Sequence, residues 1–295
     1  MKNVLITGAS TGIGREIALH LDRLGWRVFA GVRKELDAER LRKDASPELH
    51  TLMLDVTDLD SIHAAIERVA EVVTESGLDA LINNAGITMN GPMEFISMHD
   101  LRELFEVNFF GVVATTQAAL PLIRKADRGR IVHIGSIGGR QAAPMLGPYA
   151  ATKSAIAMIG EAQRRELQVW GIDVIVIEPG AIATPIWEKG LEAAAIRIER
   201  KSARELALYS PAFDALKAVT ARLERRALGP EAVAKVVEKA LTTARPRPRY
   251  VVGTDAKVQA LLTRFLPDRV RDALILRFMR YPRGVIQPRM RRGEP

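Results

Sequence analysis

The sequence predicts a doubly wound α/β domain on a parallel sheet of about seven strands, and three observations predict it. Short runs rich in Val, Ile and Leu alternate with helical patterns along most of the chain. These runs are nearly continuous in apolar residues, as in Val174-Ile175-Val176-Ile177, which is how a parallel strand covered on both faces reads. The links between them are short, which implies right-handed crossovers in an open sheet. Strands are expected at 2–6, 26–31, 49–54, 79–83, 130–135, 172–178 and 249–252. Helices are expected near 13–24, 34–43, 58–76, 98–124, 147–169 and 230–243.

The 295 residues, 47% hydrophobic and 26% charged, suffice for one large folded unit. Residues 1–254 read as a single domain. Within it, 185–228 form a strand-free helical insertion carrying Trp187, Ile196, Leu206, Leu208, Tyr209, Phe213 and Leu216. That mixture suits a lid over a pocket and equally suits a surface helical pair. Residues 255–295 read as a basic amphipathic extension.

With no cysteine, a disulfide scaffold, a thiolate metal site and a cysteine nucleophile are excluded. His20, His50, His63, His99 and His133 show no metal-ligand spacing, so no metal is expected. The net charge of +8 is concentrated: Arg245–Pro295 carries +9 and the preceding residues −1. A localised excess of this kind does not support general nucleic-acid binding. Met1-Lys2-Asn3 leads directly into a short apolar run, too brief for a signal peptide. The charge-free stretch Val107–Ile123, interrupted by Asn108 and Pro121, falls short of a membrane span and reads as a core helix. A cytoplasmic location is expected, with peripheral membrane contact as an addition.

After the first strand comes Thr7-Gly8-Ala9-Ser10-Thr11-Gly12-Ile13-Gly14, then a helix. Glycines at 8, 12 and 14 permit a tight turn whose N–H groups approach a pyrophosphate, with the helix N-terminus supplying partial positive charge. At the end of the second strand, where an NAD-binding chain usually offers a carboxylate, stand Arg33 and Lys34. Arg33 suits a 2′-phosphate, which favours NADP, with NAD as the alternative. Glu35 and Asp37 nearby could weaken the preference, and both cations could simply be solvated.

Tyr149 and Lys153 lie four apart on an expected helix and share a face. A lysine cation beside a phenol favours the phenolate, which would let Tyr149 exchange a proton with an alcohol or ketone. Ser136 ends the preceding strand thirteen positions earlier, and Asn108 interrupts an otherwise apolar helix.

These features together resemble the short-chain dehydrogenase/reductase family, with looser similarity to its retinol- and hydroxysteroid-dehydrogenase-like branch. The resemblance rests on the TGxxxGxG turn, Asn83-Asn84-Ala85-Gly86, Asp55-Val56, Pro179-Gly180, and Ser136, Tyr149 and Lys153 at the family spacing. It is firm over 1 to about 185 and loose to 253. It implies a Rossmann-type fold and a homo-oligomer, dimer or tetramer. Gly8, Ser10, Thr11, Gly12, Ile13, Gly14, Arg33, Asp55, Val56, Asn83, Ala85, Gly86, Pro179, Gly180, Ile182 and Thr184 would line the cofactor, with Asp55 at the adenine. Backbone at Ile182 and the Thr184 hydroxyl would hold the carboxamide. Tyr149 would be the general acid/base, and Lys153 would lower its pKa and bond the nicotinamide ribose. Ser136 would orient the substrate and Asn108 would hold a relay water.

Met89, Met93, Met145, Leu146, Ile186 and Trp187 fall where relatives line the substrate site, beside Ser136 and Tyr149. All six are apolar, so a hydrophobic alcohol or ketone, steroid-, retinoid- or lipid-like, is expected. Arg140 is the one arginine there that could meet an anionic substrate. Val258, Leu261, Leu262, Phe265 and Leu266, then Val270, Leu274, Ile275 and Phe278 among arginines, predict two terminal amphipathic helices. They could pack on the body, join a second subunit or lie on a membrane. Two other functions compete: a nucleotide-sensing protein without turnover, and a membrane-surface scaffold.

Overall fold

Seven strands, each within one residue of its expected ends, build one parallel sheet: β1 (Asn3–Ile6), β2 (Arg27–Val32), β3 (Leu49–Met53), β4 (Ala80–Asn83), β5 (Arg130–Ile134), β6 (Asp173–Pro179) and β7 (Arg249–Val252). Their order is β3-β2-β1-β4-β5-β6-β7. The computed structural model describes residues 1–188, 190 and 203–282. Ile196 of the expected lid and Arg283–Pro295 of the basic tail lie outside the described residues.

The order reverses between β1 and β4, so the loops leaving their carboxyl ends diverge to opposite sides and open a crevice. Although the strands read as unbroken apolar runs, their side chains alternate between two cores. Val4 and Ile6 face one layer while Leu5 faces the other, and Val28 and Ala30 are likewise separated from Phe29.

The described helices are α1 (Gly12–Arg23), α2 (Glu35–Lys43), α3 (Leu59–Val73), α4 (Met98–Phe105), α5 (Gly111–Ile123), α6 (Gly147–Glu166), α7 (Ala203–Glu224), α8 (Glu231–Thr242), α9 (Thr254–Phe265) and α10 (Asp268–Met279). Ile17 and Leu21 of α1, Leu41 of α2 and Val233 and Val237 of α8 cover one face of the sheet. Ile62 and Val69 of α3 and Ala119 and Ile123 of α5 cover the other. Asp58 starts α3 by accepting from Asp60 N at 3.0 Å and Ser61 N at 3.4 Å, satisfying donors that the helix itself cannot.

A third cluster stands apart from the sheet. Ala212, Leu216 and Val219 of α7 meet Met279 and Ile275 of α10 around Met145. The C-terminal extension is therefore packed onto the inserted helix, and both reach the loop before α6.

One expected helix is interrupted. The sequence predicts one helix over 98–124, but a π turn, Glu106–Phe110, separates α4 from α5. The whole run Met98–Ile123 has 26 residues and is long and apolar enough to cross a membrane by length and composition. It contains Asn108, which is buried and bonded into the site described next, so the run serves as a core helix of the fold.

Candidate active site

The glycine-rich turn is a cradle that side chains would fill. Gly8 and Gly12 hold φ of +68° and +58°, in the left-handed region that favours glycine. A Cβ on Gly14 would lie 2.3 Å from both Asn84 Nδ2 and Gly8 O, and one on Gly8 would lie 2.8 Å from Ala85 Cα. The turn is thus pressed against the segment after β4. Thr7 Oγ1 accepts from the N–H groups of Asn84 and Ala85, each at 3.0 Å. Asn84 Nδ2 donates to Thr7 O at 3.0 Å and to Gly8 O at 2.9 Å. This bracing role of Asn84 was not anticipated, although its place beside Asn83 was a signal. The Asn83 amide points inward instead, to Thr116 Oγ1 at 2.9 Å and His133 Nδ1 at 3.2 Å.

Thr11 caps α1 without any side-chain bond to the helix, so its hydroxyl and the first-turn N–H groups face the crevice uncommitted to each other. Ser10 and Ile13 flank it in the same turn. Across the sheet, Asp55 Oδ1 accepts from Thr57 N at 3.0 Å and Thr57 Oγ1 at 2.8 Å, which fixes the carboxyl group and leaves Oδ2 for another donor. Val56 is buried beneath Gly111. Gly86 lies closest to the catalytic candidates: a Cβ there would be 3.3 Å from Asn108 Oδ1 and 3.6 Å from Lys153 Nζ.

The loop after β6 closes the crevice. The β carbon of Thr184 lies 3.1 Å from where a Cβ on Gly12 would be, so the two candidate cofactor segments touch. Ile182 is buried and bridges Leu228, and its carbonyl accepts from Trp187 Nε1 at 2.8 Å. Gly180, following Pro179, packs against Asp255, whose Oδ2 accepts from Ala181 N at 3.0 Å. Asp255 begins α9, and the sequence offered no signal for this long-range contact. Together the pinched turn, the free N-terminus of α1 and the braced Ile182–Thr184 loop fit an extended dinucleotide.

Arg33 is exposed at the carboxyl end of β2 and has no hydrogen bond or ion pair among the described residues. Glu35, which threatened to neutralise it, is instead bound by Arg42 Nη2 at 2.6 Å.

The four catalytic candidates converge from three elements. Asn108 sits in the π turn, where Oδ1 accepts from Ile87 N at 2.8 Å and Nδ2 donates to Ile87 O at 2.9 Å and Thr152 Oγ1 at 3.0 Å. Thr152 donates in turn to Tyr149 O at 2.8 Å. Lys153 is buried, donates from Nζ to Ile134 O at 2.9 Å, and lies 5.8 Å from the centre of the Tyr149 ring. Ser136 Oγ accepts from Gly138 N at 3.1 Å, which orients its hydroxyl at the end of β5.

Protonation in this chain departs from one expectation. Burial holds the Tyr149 phenol above its ordinary value, and the hydrogen bond with Ser136 only partly offsets it. Lys153 is itself lowered to about 8, because a buried ammonium has lost its water. The protein's own residues therefore keep Tyr149 protonated near neutral pH rather than ionising it.

The substrate candidates flank this group. Met145 is buried with φ +71°, unusual for a residue with a side chain, and its carbonyl accepts from Gly91 N at 2.8 Å. Leu146 precedes α6, while Ile186 and Trp187 are half-buried beyond Thr184. Met89 is buried but Met93 is exposed. Arg140 is not available to an anionic substrate: Nε and Nη2 donate to the buried Glu178 at 2.9 and 2.5 Å, and Arg249 holds the other oxygen at 3.0 Å. Two acceptors were missed. Among the described residues Asn90 Oδ1 and Gln141 Oε1 are buried without a hydrogen-bond partner, the first in the loop after β4 and the second between Ser136 and Tyr149.

Residues 2–194 match the family model described as short chain dehydrogenase. A protein of Ornithobacterium rhinotracheale described as NADPH-dependent 3-dehydrocapnine reductase is 34% identical over 278 residues, covering 93% of this chain and 96% of its own. Retinol dehydrogenase 5 of Mus musculus is 37% identical over 281 residues, covering 92% and 87%. Among solved structures, a short-chain dehydrogenase from Streptomyces avermitilis superposes with a TM-score of 0.74 at 28% identity, covering 92% of this chain and 94% of its own.

Proposed function

Because the chain belongs to the short-chain dehydrogenase family, we propose that it is an NADP(H)-dependent oxidoreductase acting on a hydrophobic alcohol or ketone. The observation that carries this reading is the convergence of Ser136, Tyr149, Lys153 and Asn108, and the apolar Met145, Leu146, Ile186 and Trp187 are the proposed substrate contacts. The nicotinamide, when bound, supplies or accepts the hydride.

The chain's own residues handle the proton and the positioning. Gly8, Gly12 and Gly14 admit a pyrophosphate to the N-terminus of α1, Asp55 meets the adenine, and Ile182 and Thr184 hold the carboxamide. Ser136 Oγ fixes the substrate oxygen beside the Tyr149 hydroxyl. Tyr149 donates its proton to that oxygen in reduction and receives it in oxidation. The raised phenol is protonated at neutral pH, the form that can donate in reduction. In oxidation, positive charge gathered around the phenol must offset its burial, and the Lys153 ammonium is the protein's contribution. Asn108, bonded through both amide atoms, holds the π turn at Lys153 and Gly86.

The substrate is steroid-, retinoid- or lipid-like. The unpartnered Asn90 Oδ1 and Gln141 Oε1 favour one that carries a hydroxyl or amine donor besides the reacting group, since buried acceptors are costly without one. The relative described as a retinol dehydrogenase supports the hydrophobic class.

The unpaired Arg33 supports NADP, as does the relative described as NADPH-dependent. The test is a screen of hydrophobic ketones and alcohols with both cofactors, followed by near-ultraviolet NADPH absorbance. Turnover with NADPH preferred is expected, and Arg33→Ala should raise its KM about ten- to a hundredfold, the loss of one charge-assisted bond. No turnover, or a clear NAD preference in the wild type, contradicts the assignment.

A further inference from the structure

The two C-terminal helices carry six large apolar side chains that the fold leaves uncovered. Val258, Leu261 and Phe265 on α9 and Val270, Leu274 and Phe278 on α10 are 44–67% exposed. Each set recurs at three- or four-residue spacing and so forms a stripe along one side of its helix. Packing covers mainly the other side of α10, where Ile275 and Met279 join the α7 cluster, although Arg222 of α7 lies 4.3 Å from the centre of the Phe278 ring.

Cations surround both stripes. Lys257, Arg264, Arg269, Arg277 and Arg280 are exposed, and none has a carboxylate partner among the described residues. The Arg264 guanidinium lies over the Phe265 ring, 5.4 Å from its centre, where its stem screens the ring but its charge stays accessible. An open cleft of about 580 Å³ on α10 joins both characters: Val270, Leu274, Leu276 and Tyr281 supply apolar walls, and Arg277 and Arg280 stand at its edge.

We propose that α9 and α10 form a docking surface for an anionic lipid bilayer, with the apolar stripes entering the headgroup region and the unpaired arginines meeting lipid phosphates. Charge decides between occupants. An isologous contact with a second copy would bring the same unpaired cations face to face, which is repulsive. A nucleic acid would satisfy the cations but leave Leu261, Phe265 and Leu274 in water. A bilayer with acidic headgroups satisfies both, as basic amphipathic helices do at such interfaces. The placement has a consequence that rests on the oxidoreductase reading. Helix α10 shares its buried side with Met145 and α7, so docking would set the substrate wall beside the phase in which a hydrophobic substrate dissolves.

The test uses the full chain with vesicles of phosphatidylcholine alone or mixed with phosphatidylserine, and binding is read by co-sedimentation. Turnover plays no part, so failure of the redox assignment leaves this test standing. Wild type is expected to bind the mixed vesicles, weakly bind the neutral ones, and release in high salt. The double change Phe265→Glu with Leu274→Glu should weaken binding at least about tenfold. Changing Arg269, Arg277 and Arg280 to Gln together should weaken it about a hundredfold. Thermal melting checks that the variants fold. Should they fail to, vesicle-induced protection of 254–281 from hydrogen exchange in the wild type replaces them. The proposal is overturned by absence of wild-type binding, by undiminished binding of folded variants, by absence of protection, or by an oligomer that Phe265→Glu dissociates.

Discussion

Asn108 and Thr152 are joined across two helices: Asn108 Nδ2 donates to Thr152 Oγ1 at 3.0 Å. Thr152 passes the link to Tyr149 O, so the π turn and the helix carrying Tyr149 and Lys153 hold each other in place. Thr152→Val would leave a buried amide N–H without its acceptor, a loss of about 1–3 kcal/mol. We expect turnover to fall about tenfold with the cofactor KM unchanged, and Thr152→Ser to restore it. A fall in cofactor affinity instead, with no rescue by Ser, would mean that the link merely supports the fold.

His133 should limit acid stability. It is fully buried and held at about 4 by loss of solvation. With Asn83 Nδ2 donating to Nδ1, the proton sits on Nε2 and points to Gln163 Oε1 at 2.9 Å. Its folded value lies below the unfolded 6.5, so the unfolded chain binds more protons between them. Stability should therefore fall as pH drops through that window, by about 3 kcal/mol in all. Denaturant melts at stepped pH check this, and His133→Gln should flatten the slope.

Lys153 acts in the same sense at the alkaline end. Its buried ammonium is disfavoured, with a folded value of about 8 against 10.5. The unfolded chain holds the proton longer, so stability should rise with pH from about 8 to 10. Above that range, ionisation of Tyr149 in the unfolded chain begins to oppose the gain, because its folded value is raised. Lys153→Met should remove the rise, melt no lower than wild type at neutral pH, and lose turnover. A substitution that gains stability while losing activity marks a group kept for chemistry.

The strands were legible because a strand buried on both faces is mostly apolar, and Val, Ile, Leu and Ala fill most such positions here, with Phe29, His133 and Glu178 among the exceptions. The grouping of the candidates was legible because one helix turn brings Tyr149 and Lys153 together and Ser136 closes a strand. What could not be read was set by contacts between distant segments. The π turn at Glu106–Phe110 looks like plain helix in sequence, and only the bonds from Asn108 to Ile87 reveal why it is there. Arg140 looked like a substrate contact because Glu178, inside an apolar strand, gave no sign of facing it. Asp255 braces Ala181 across 74 positions, a separation that no local pattern encodes. The direction of the Tyr149 shift also needed the fold: the sequence does not show the burial that raises it or the Ser136 bond that only partly offsets it.

The most direct measurement compares Tyr149→Phe with wild type, reading both turnover of a hydrophobic ketone and binding of NADPH by fluorescence titration. The substitution removes only the phenolic oxygen and keeps the ring in place. The account predicts loss of turnover by about a thousandfold, within the range of general acid–base catalysis, with cofactor affinity unchanged. Turnover near the wild-type rate would contradict it, because the proton would then come from elsewhere.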